Sequence, residues 1–201
     1  LPMVREFSPE DMAAEYLREG LNTVKQKERA IVAEGPLRDG APVYAHFLGS
    51  DAPRSDRWGT LRTILKLLSL SDAWADHCRQ HLPSTIPEAN AETCLIQFGD
   101  VAWYNDTMPD PLGHREHYAG NCVDIRLFRN LPSRYEAWWN RPDDRNGERG
   151  SYSQALTQAF LAFAIRTASP TVVHFNDPEV LKALPSVTAS RGHDDHIHMC
   201  F

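Results

Sequence analysis

Five of the nine histidines in this 201-residue chain fall in two short segments, residues 114–126 and 191–201. Imidazole and carboxylate groups are ordinary zinc ligands, and imidazole also transfers protons near neutral pH. The candidates of these two types are His114, His117, Asp124, His193, Asp194, Asp195, His196 and His198. We predict that the two segments are the two halves of one metal site, which holds a single zinc ion.

The pair His196 and His198 is separated by one residue, Ile197. Alternate residues of a β-strand point to the same face, so this spacing aims two imidazoles at one place. Ile197 and Met199 then face the other way, which suits a packed layer. One imidazole can bind the metal while its neighbour handles a proton.

A second strand is predicted over residues 121–128, where Asp124 and Arg126 alternate with apolar residues. A carboxylate on such a strand is costly unless a cation or hydrogen bonds compensate it. His117 precedes Asp124 by seven residues, and Gly120 between them lets the chain turn back over the strand. A strand carboxylate, a loop imidazole and an imidazole from a second strand make three protein ligands, with water in the fourth position. That pattern is typical of a catalytic zinc rather than a closed structural one.

The order and spacing of His117, Asp124, His196 and His198 resemble the zinc signature of the lysostaphin, D-Ala-D-Ala metallopeptidase and hedgehog group. Within this group, the closer resemblance is to the penicillin-insensitive murein endopeptidases. These similarly carry a histidine three residues before the first ligand, as His114 stands here. They similarly end in Gly-His-Asp-x-His-x-His, which residues 192–198 match. The similarity covers residues 96–201, and residues 1–90 match no family that we can name.

The resemblance implies that His117, Asp124 and His198 bind the zinc and that His196, together with His193, supplies the proton chemistry. It also implies a zinc metallopeptidase that cuts peptide cross-links or stem peptides of bacterial peptidoglycan, with D-amino acids at the cut. The implied partners are muropeptides, and the implied location is the periplasm or the exterior of the cell.

Four further residues are candidates for supporting roles. Arg126 can pair with a substrate carboxylate or with a structural acid. Asp194 and Asp195 can orient a ligand histidine through its far nitrogen. His114 can be a partner of a ligand, a substrate contact or an ordinary loop residue.

Three alternatives stay open. The hedgehog branch indicates that such a site can persist in a binding module without turnover. The same chemistry would also serve an antibacterial toxin, with an immunity protein as its partner, or a phage lysin. Finally, the histidines and acids could form a satisfied polar cluster that binds no metal.

Composition excludes several other classes of protein. The formal net charge of −6 and the absence of a long Lys/Arg run argue against a nucleic-acid partner. The sequence contains no stretch of 18 apolar residues, so no transmembrane segment is predicted, and no signal peptide is visible.

The four cysteines do not form a Cys-x-x-Cys motif, which argues against a thiolate zinc site. Cys122 stands two residues before Asp124 and Cys200 two residues after His198, so both cysteines fall on the metal face of their strands. They could be bridged to each other, and Cys78 and Cys94 could close a second loop, as in an exported protein. Four buried free thiols are an equally acceptable interpretation.

The order of predicted elements indicates an α+β fold, with a small, mainly antiparallel sheet flanked by helices. We expect a mainly helical N-terminal region over residues 1–90, packed on a metallopeptidase core over 91–201. Further strands are predicted at 94–98, 171–175 and 196–201, and His174 is interpreted as structural. One long helix or two short ones are predicted at 9–33, and further helices at 58–68, 72–81 after a Ser71 cap, and 152–167 after Ser151 or Ser153. Residues 35–57 are expected to be irregular.

Overall fold

The structure is a computed structural model that describes residues 29–30, 37–38, 41–42, 44–46, 58–101, 117, 120–130, 139–140 and 151–201. The strands are β1 Arg29–Ala30, β2 Leu37–Arg38, β3 Ala41–Pro42, β4 Tyr44–His46, β5 Trp58–Gly59, β6 Ile96–Phe98, β7 Cys122–Arg126, β8 Val172–His174 and β9 His196–Cys200. The helices are α1 Leu61–His81, α2 Gln154–Ala168 and α3 Pro178–Ala183.

Five strands form the main sheet, in the order β4-β6-β7-β9-β8. β4 and β6 run parallel, whereas the other three neighbouring pairs are antiparallel. Two short antiparallel pairs, β1–β5 and β2–β3, lie outside this sheet. The prediction of an α+β fold with a small, mainly antiparallel sheet flanked by helices is therefore confirmed.

The central pair of strands, β7 and β9, separates an apolar face from a polar one. On the apolar face Val123 is opposite Met199 and Ile125 is opposite Ile197, and all four side chains are fully buried. This is the alternation that the sequence predicts for both strands. Burying side chains of this size contributes about 1.5–3 kcal/mol each.

Aromatic residues from the two long helices extend the same core. Trp74 on α1 packs edge-on against Phe160 on α2, with ring centroids 5.2 Å apart, and against Phe128 at 5.4 Å. The indole Nε1 of Trp74 donates to the carbonyl of Cys94 at 3.0 Å, so its one polar atom is satisfied inside the core.

Helix α1 joins the two helices predicted at 58–68 and 72–81 and begins later than predicted, because Trp58 and Gly59 form strand β5. It runs without a break from Leu61 to His81, where the sequence suggested two helices separated at Ser71. Ser71 lies inside the helix, and its hydroxyl donates to the carbonyl of Leu67 at 2.7 Å instead of capping a new helix. The N-cap is Thr60, whose side chain accepts from the backbone N–H of Thr63.

Helix α2 follows the prediction closely. Of the two predicted caps, Ser153 is the N-cap, and its side chain accepts from the N–H of Leu156. The helix ends at Ser169, which adopts the left-handed conformation with φ 47°.

Some described residues ahead of helix α1 differ from the prediction. Arg29 and Ala30 fall in the predicted helix 9–33 but form strand β1, paired with β5. Strand β4 lies in the predicted irregular segment 35–57, yet it pairs with β6 as an edge of the main sheet. Pairing with residues distant in the chain outweighs local propensity at these positions. The rest of 9–33 lies outside the described residues.

Two disulfides link the four cysteines. Cys78 on α1 is bonded to Cys94 ahead of β6, and Cys122 on β7 is bonded to Cys200 on β9. No free cysteine remains. The alternative in which the cysteines are bridged is therefore confirmed, and the interpretation as four free thiols is wrong.

Candidate metal centre

The polar face of the β7–β9 ladder consists of three successive cross-strand pairs. They are Cys122 with Cys200, Asp124 with His198, and Arg126 with His196. Because the side-chain period of a strand is two, one antiparallel register places all six side chains on the same face. The ladder therefore places a disulfide, a carboxylate–imidazole pair and a guanidinium–imidazole pair side by side.

His117 joins the middle pair from a loop. Its Nε2 lies 3.2 Å from Asp124 Oδ1, and His198 Nδ1 lies 2.9 Å from the same oxygen. One ligand atom from each of the three residues falls within 4.8 Å of the other two, and their exposed fractions are 0%, 6% and 1%. The three residues predicted as metal ligands are thus brought together in a buried cluster that could hold a metal ion.

His117 is held through its ring and through the turn at Gly120. His117 Nδ1 donates to the carbonyl of Val101 at 2.6 Å, which fixes the orientation of the ring. Gly120 has φ 69°, a left-handed conformation that suits glycine, and its N–H donates to the carbonyl of His117 at 3.0 Å. The N–H of Thr60 donates to the carbonyl of Gly120 at 2.8 Å and ties the turn to the start of α1. The turn predicted at Gly120 is therefore present.

The arrangement of donor and acceptor atoms fits a bound cation. A neutral imidazole carries one N–H and one lone pair, so His117, which donates through Nδ1, turns the lone pair of Nε2 toward Asp124. A lone pair and a carboxylate oxygen at 3.2 Å repel each other unless a proton or a cation lies between them. Two imidazoles and one carboxylate are also a usual donor set for zinc.

The pKa shifts within the cluster arise because Asp124 lies close to the imidazoles. Burial acts to raise the pKa of Asp124, but hydrogen bonds from His117 and His198 and the charge of His196 hold the pKa well below its usual range. Burial acts to lower the pKa of His117, but the hydrogen bond and charge of Asp124 and the carbonyl of Val101 raise it overall. Without a metal, protons on the imidazoles supply the positive charge that the carboxylate attracts.

His196 stands beside the metal cluster. Its Nδ1 donates to Asp195 Oδ1 at 2.8 Å, and its Nε2 lies 3.7 Å from Asp124 Oδ2. Burial acts to lower the pKa of His196, but the hydrogen bond to Asp195 and the charges of Asp124 and Asp195 raise it overall. The ring is therefore oriented through one nitrogen and presents the other to the cluster.

His193 packs against both histidines of β9. Its ring centroid lies 4.9 Å from that of His196 and 5.4 Å from that of His198. Its Nδ1 lies 3.1 Å from the carbonyl of Ser190, while Nε2 is buried without a hydrogen-bond partner among the described residues. Burial and the nearby charge of His196 lower the pKa of His193, so this imidazole stays neutral more readily than His196.

Asp194 and Asp195 were predicted to orient a ligand histidine, and in the described part of the chain their hydrogen bonds go to other groups. Asp195 binds His196, while Asp194 Oδ1 accepts from Asn176 Nδ2 at 2.7 Å and from Trp139 Nε1 at 3.2 Å. The chain bends at these positions, so adjacent carboxylates point in different directions. Asp194 thereby holds the segment that carries His193, and the ligand histidines are oriented by other groups.

Arg126 lies opposite His196 in the ladder and is half-buried. Its positive charge contributes to lowering the pKa of Asp195 and opposes the raised pKa of His196. The structure thus places Arg126 beside the predicted proton-transfer residue. His114 lies outside the described residues.

One residue at the site was not identified from the sequence, and a second, Cys200, lies where the sequence placed it on the metal face. His174, interpreted as structural, lies opposite His198 on β8 and stacks on it, with ring centroids 5.9 Å apart. It also lies 5.3 Å from His193. Cys200 Sγ lies 3.3 Å from His198 Nε2. The signal for His174 was its position in a predicted strand, but only the pairing of β8 with β9 brings it to the site.

No protein-family model matches this chain, and no curated protein matches it either. No helix within the described part of the chain combines the length and apolar character needed to cross a membrane. The two disulfides are compatible with an extracytoplasmic compartment. The fold and the site define an α+β protein with a buried histidine–aspartate cluster able to hold a metal ion.

Proposed function

We propose that the protein is a zinc-dependent peptidase that hydrolyses peptide cross-links or stem peptides of bacterial peptidoglycan. The observation that carries the proposal is the convergence of His117 Nε2, Asp124 Oδ1 and His198 Nδ1, with the oriented imidazole of His196 beside them. Three protein ligands and a neighbouring proton acceptor are the parts that a hydrolytic zinc site requires.

His117, Asp124 and His198 would hold the zinc ion. When bound, zinc supplies Lewis-acid activation of water and of the scissile carbonyl near neutral pH. The burial of all three residues supports this assignment, because packed neighbours and hydrogen bonds keep buried ligands in one orientation.

His196 Nε2 is the atom that we assign to proton transfer. Asp195 holds Nδ1 as the donor, which leaves Nε2 facing the cluster to take the proton of the attacking water. Once protonated, the imidazolium stabilises the negative charge that develops on the carbonyl oxygen. The carboxylate of Asp195 orients the neutral ring of His196 and stabilises the positive charge of the protonated ring.

We assign His193 a secondary part. Its lowered pKa and its contact with His196 suit a neutral imidazole that accepts a proton or a hydrogen bond through the buried Nε2. Its segment is held by the hydrogen bonds of Asp194, which keep the ring beside His196.

The substrate class rests on the resemblance of residues 96–201 to penicillin-insensitive murein endopeptidases. Arg126 supports it, because a guanidinium beside the site can pair with a carboxylate of a peptide stem. Periplasmic or secreted location follows from the same proposal, and the two disulfides are compatible with it.

The test combines zinc stoichiometry with cleavage of purified cross-linked muropeptides. We expect about one zinc ion per wild-type chain, as in other sites with three protein ligands, and release of shorter muropeptides. His198→Ala should lose both zinc and cleavage, whereas His196→Ala should keep zinc and lose cleavage. His81→Ala, at an exposed histidine on α1, is the matched control and should keep both.

Two results would contradict the proposal. A wild-type chain that binds no zinc would remove its basis. A chain that binds zinc and leaves every muropeptide intact would favour a binding module instead, and muropeptide binding without cleavage would then be measured.

A further inference from the structure

His198 belongs to two potential ligand sets through its two ring nitrogens. Nδ1 faces Asp124 Oδ1 at 2.9 Å, whereas Nε2 lies 3.3 Å from the sulfur of Cys200. Cys122 is bonded to that sulfur and occupies the same cross-strand pair. Ligand atoms of Cys122, His198 and Cys200 fall within 4.8 Å of one another, as do those of the first set. Two groups of three potential ligands therefore share one imidazole.

The disulfide keeps the second set from binding metal. A cysteine binds metal as the thiolate, and a disulfide sulfur carries no such charge. When a metal binds Nδ1 of His198, the ring proton lies on Nε2, where the sulfur of Cys200 at 3.3 Å can serve only as a weak acceptor. A proton on Nε2 leaves the lone pair on Nδ1, which is the nitrogen that faces Asp124. The disulfide thus stabilises the tautomer that the first set needs.

We propose that reduction of the Cys122–Cys200 disulfide creates a second site for a zinc-type cation, formed by both cysteine sulfurs and Nε2 of His198, which competes with the first. The proposal rests on the metal-binding part of the proposed function. The two sites exclude each other because a neutral imidazole has a single lone pair. A cation on Nε2 moves the ring proton to Nδ1, where it is donated to Asp124.

A dithiol is the reductant of the Cys122–Cys200 disulfide in this proposal. One thiolate of the dithiol attacks the disulfide and forms a mixed disulfide, and its second thiolate then resolves it. The dithiol leaves as a cyclic disulfide, and two electrons and two protons pass to the sulfurs of Cys122 and Cys200. Binding of the cation releases these two protons to solvent.

The ladder keeps the second site assembled after reduction. Cys122 and Cys200 are directly opposed on paired strands and are 2% and 5% exposed, so their positions do not depend on the disulfide alone. Two thiolates and one imidazole are a softer donor set than one carboxylate and two imidazoles, and zinc and cobalt bind such sets well. Among the described residues, Cys78 and Cys94 belong to no potential metal group. The second disulfide is thus an internal control.

Cobalt binding to the full chain tests the proposal, with Co²⁺ alone as the probe. The oxidised chain is compared with a chain reduced by a water-soluble phosphine, which takes up oxygen from water as phosphine oxide and leaves both sulfurs protonated. Thiols are counted after unfolding. We expect a sulfur-to-cobalt charge-transfer band in the reduced chain and none in the oxidised chain.

Three variants test which residues bind the cobalt that gives rise to the charge-transfer band. Cys122→Ser with Cys200→Ser should abolish it, although Cys78 and Cys94 are still reduced. His117→Asn should weaken cobalt binding to the oxidised chain and leave the band of the reduced chain in place. His198→Asn should weaken binding in both states, because both ligand sets contain this residue.

The results separate this inference from the proposed function. A reduced chain with its thiols free but without the band would overturn the second site, even if the oxidised chain binds cobalt and cleaves muropeptides. Loss of the fold on reduction, measured by circular dichroism, would also overturn the second site. A band in the reduced chain, together with no cobalt in the oxidised chain, would support the thiolate site and contradict the proposed function.

Discussion

Asp124 and His198 are directly opposed on the antiparallel strands β7 and β9, and Asp124 Oδ1 lies 2.9 Å from His198 Nδ1. His117 reaches the same oxygen from a loop at 3.2 Å. Asp124 is also within 3.7 Å of His196 through its other oxygen. One carboxylate therefore contacts three imidazoles, and the site depends on its charge.

Asp124→Asn tests that dependence. The substitution keeps the size of the side chain but removes its charge, so we expect zinc affinity to fall by more than about 100-fold, the upper end for loss of an outer partner. Equilibrium dialysis against a zinc-buffering chelator measures the change. Asp72→Asn, at an exposed position on α1, is the control and should bind zinc like the wild type. Unchanged affinity in Asp124→Asn would remove this residue from the ligand set.

Asp195→Asn is expected to reduce turnover without removing zinc. The carboxylate binds His196 Nδ1 at 2.8 Å and fixes the orientation of a ring that is not itself a ligand. Loss of such an orienting partner lowers activity by about 10- to 100-fold. Steady-state cleavage of a muropeptide and the zinc content of the same sample provide the two readouts. A parallel loss of zinc would mean that Asp195 supports the ligands instead.

Zinc affinity should rise with pH across the neutral range. Burial acts to lower the pKa of His117, but its hydrogen bond with Asp124 raises it overall in the metal-free protein, so a proton competes with the metal. As pH rises through the raised pKa, this proton is lost and affinity grows. The logarithm of the affinity should change by about one per pH unit for each histidine that must lose a proton.

Calorimetric titration in buffers of different ionisation enthalpy measures the protons released. His117→Gln should reduce proton release as well as affinity. Constant affinity from pH 6 to 8 would contradict the assignment of His117 as a ligand.

Gly59→Ala should disturb the site from a distance. An added Cβ would lie 3.0 Å from Ile64 Cδ1, 3.2 Å from the carbonyl of Gly120 and 3.3 Å from Val101 Cγ1. Val101 and Gly120 are the two supports of His117, so we expect about tenfold weaker zinc binding. Overpacking should also destabilise the fold by about 1–3 kcal/mol in urea unfolding.

Ala73→Gly is the matched control for Gly59→Ala. It lies on the exposed side of α1, and the glycine should cost about 1 kcal/mol of stability without any change in zinc affinity. Equal zinc binding by both variants would show that the packing around Gly59 does not position His117.

Removing the Cys78–Cys94 disulfide should affect stability alone. The bridge closes a loop with a sequence separation of 16, for which loss of the constraint on the unfolded chain costs about 3 kcal/mol. Cys78→Ser with Cys94→Ser should therefore unfold at lower urea concentration and still bind zinc with wild-type stoichiometry. Loss of zinc in the folded variant would show that this bridge also supports the metal centre.

The local patterns in the sequence were sufficient to predict much of the site. Alternation around Asp124 and the spacing of His196 and His198 indicated two strands with their polar residues on one face, and β7 and β9 have this arrangement. Gly120 indicated the turn that returns His117 to the strand. These features depend on the side-chain period of two and on the conformational freedom of glycine, which are properties of a few neighbouring residues.

Other features depend on contacts between distant residues. The unbroken helix α1 passes through Ser71 because its apolar face packs continuously on the core, which outweighs the capping preference of a serine. His174 and His198 become neighbours only because β8 pairs with β9, and Asp194 and Asp195 diverge because the chain bends before β9.

The sequence by itself therefore determined the chemical character of the site and the two strands that carry it. Periodicity and residue type depend only on neighbours along the chain, so both are visible without a fold. Only the tertiary structure decided the register of β7 with β9, and with it the pairing of Cys122 with Cys200 beside His198. Register and disulfide pairing depend on which distant segments bury their apolar faces together, and no local pattern specifies that choice.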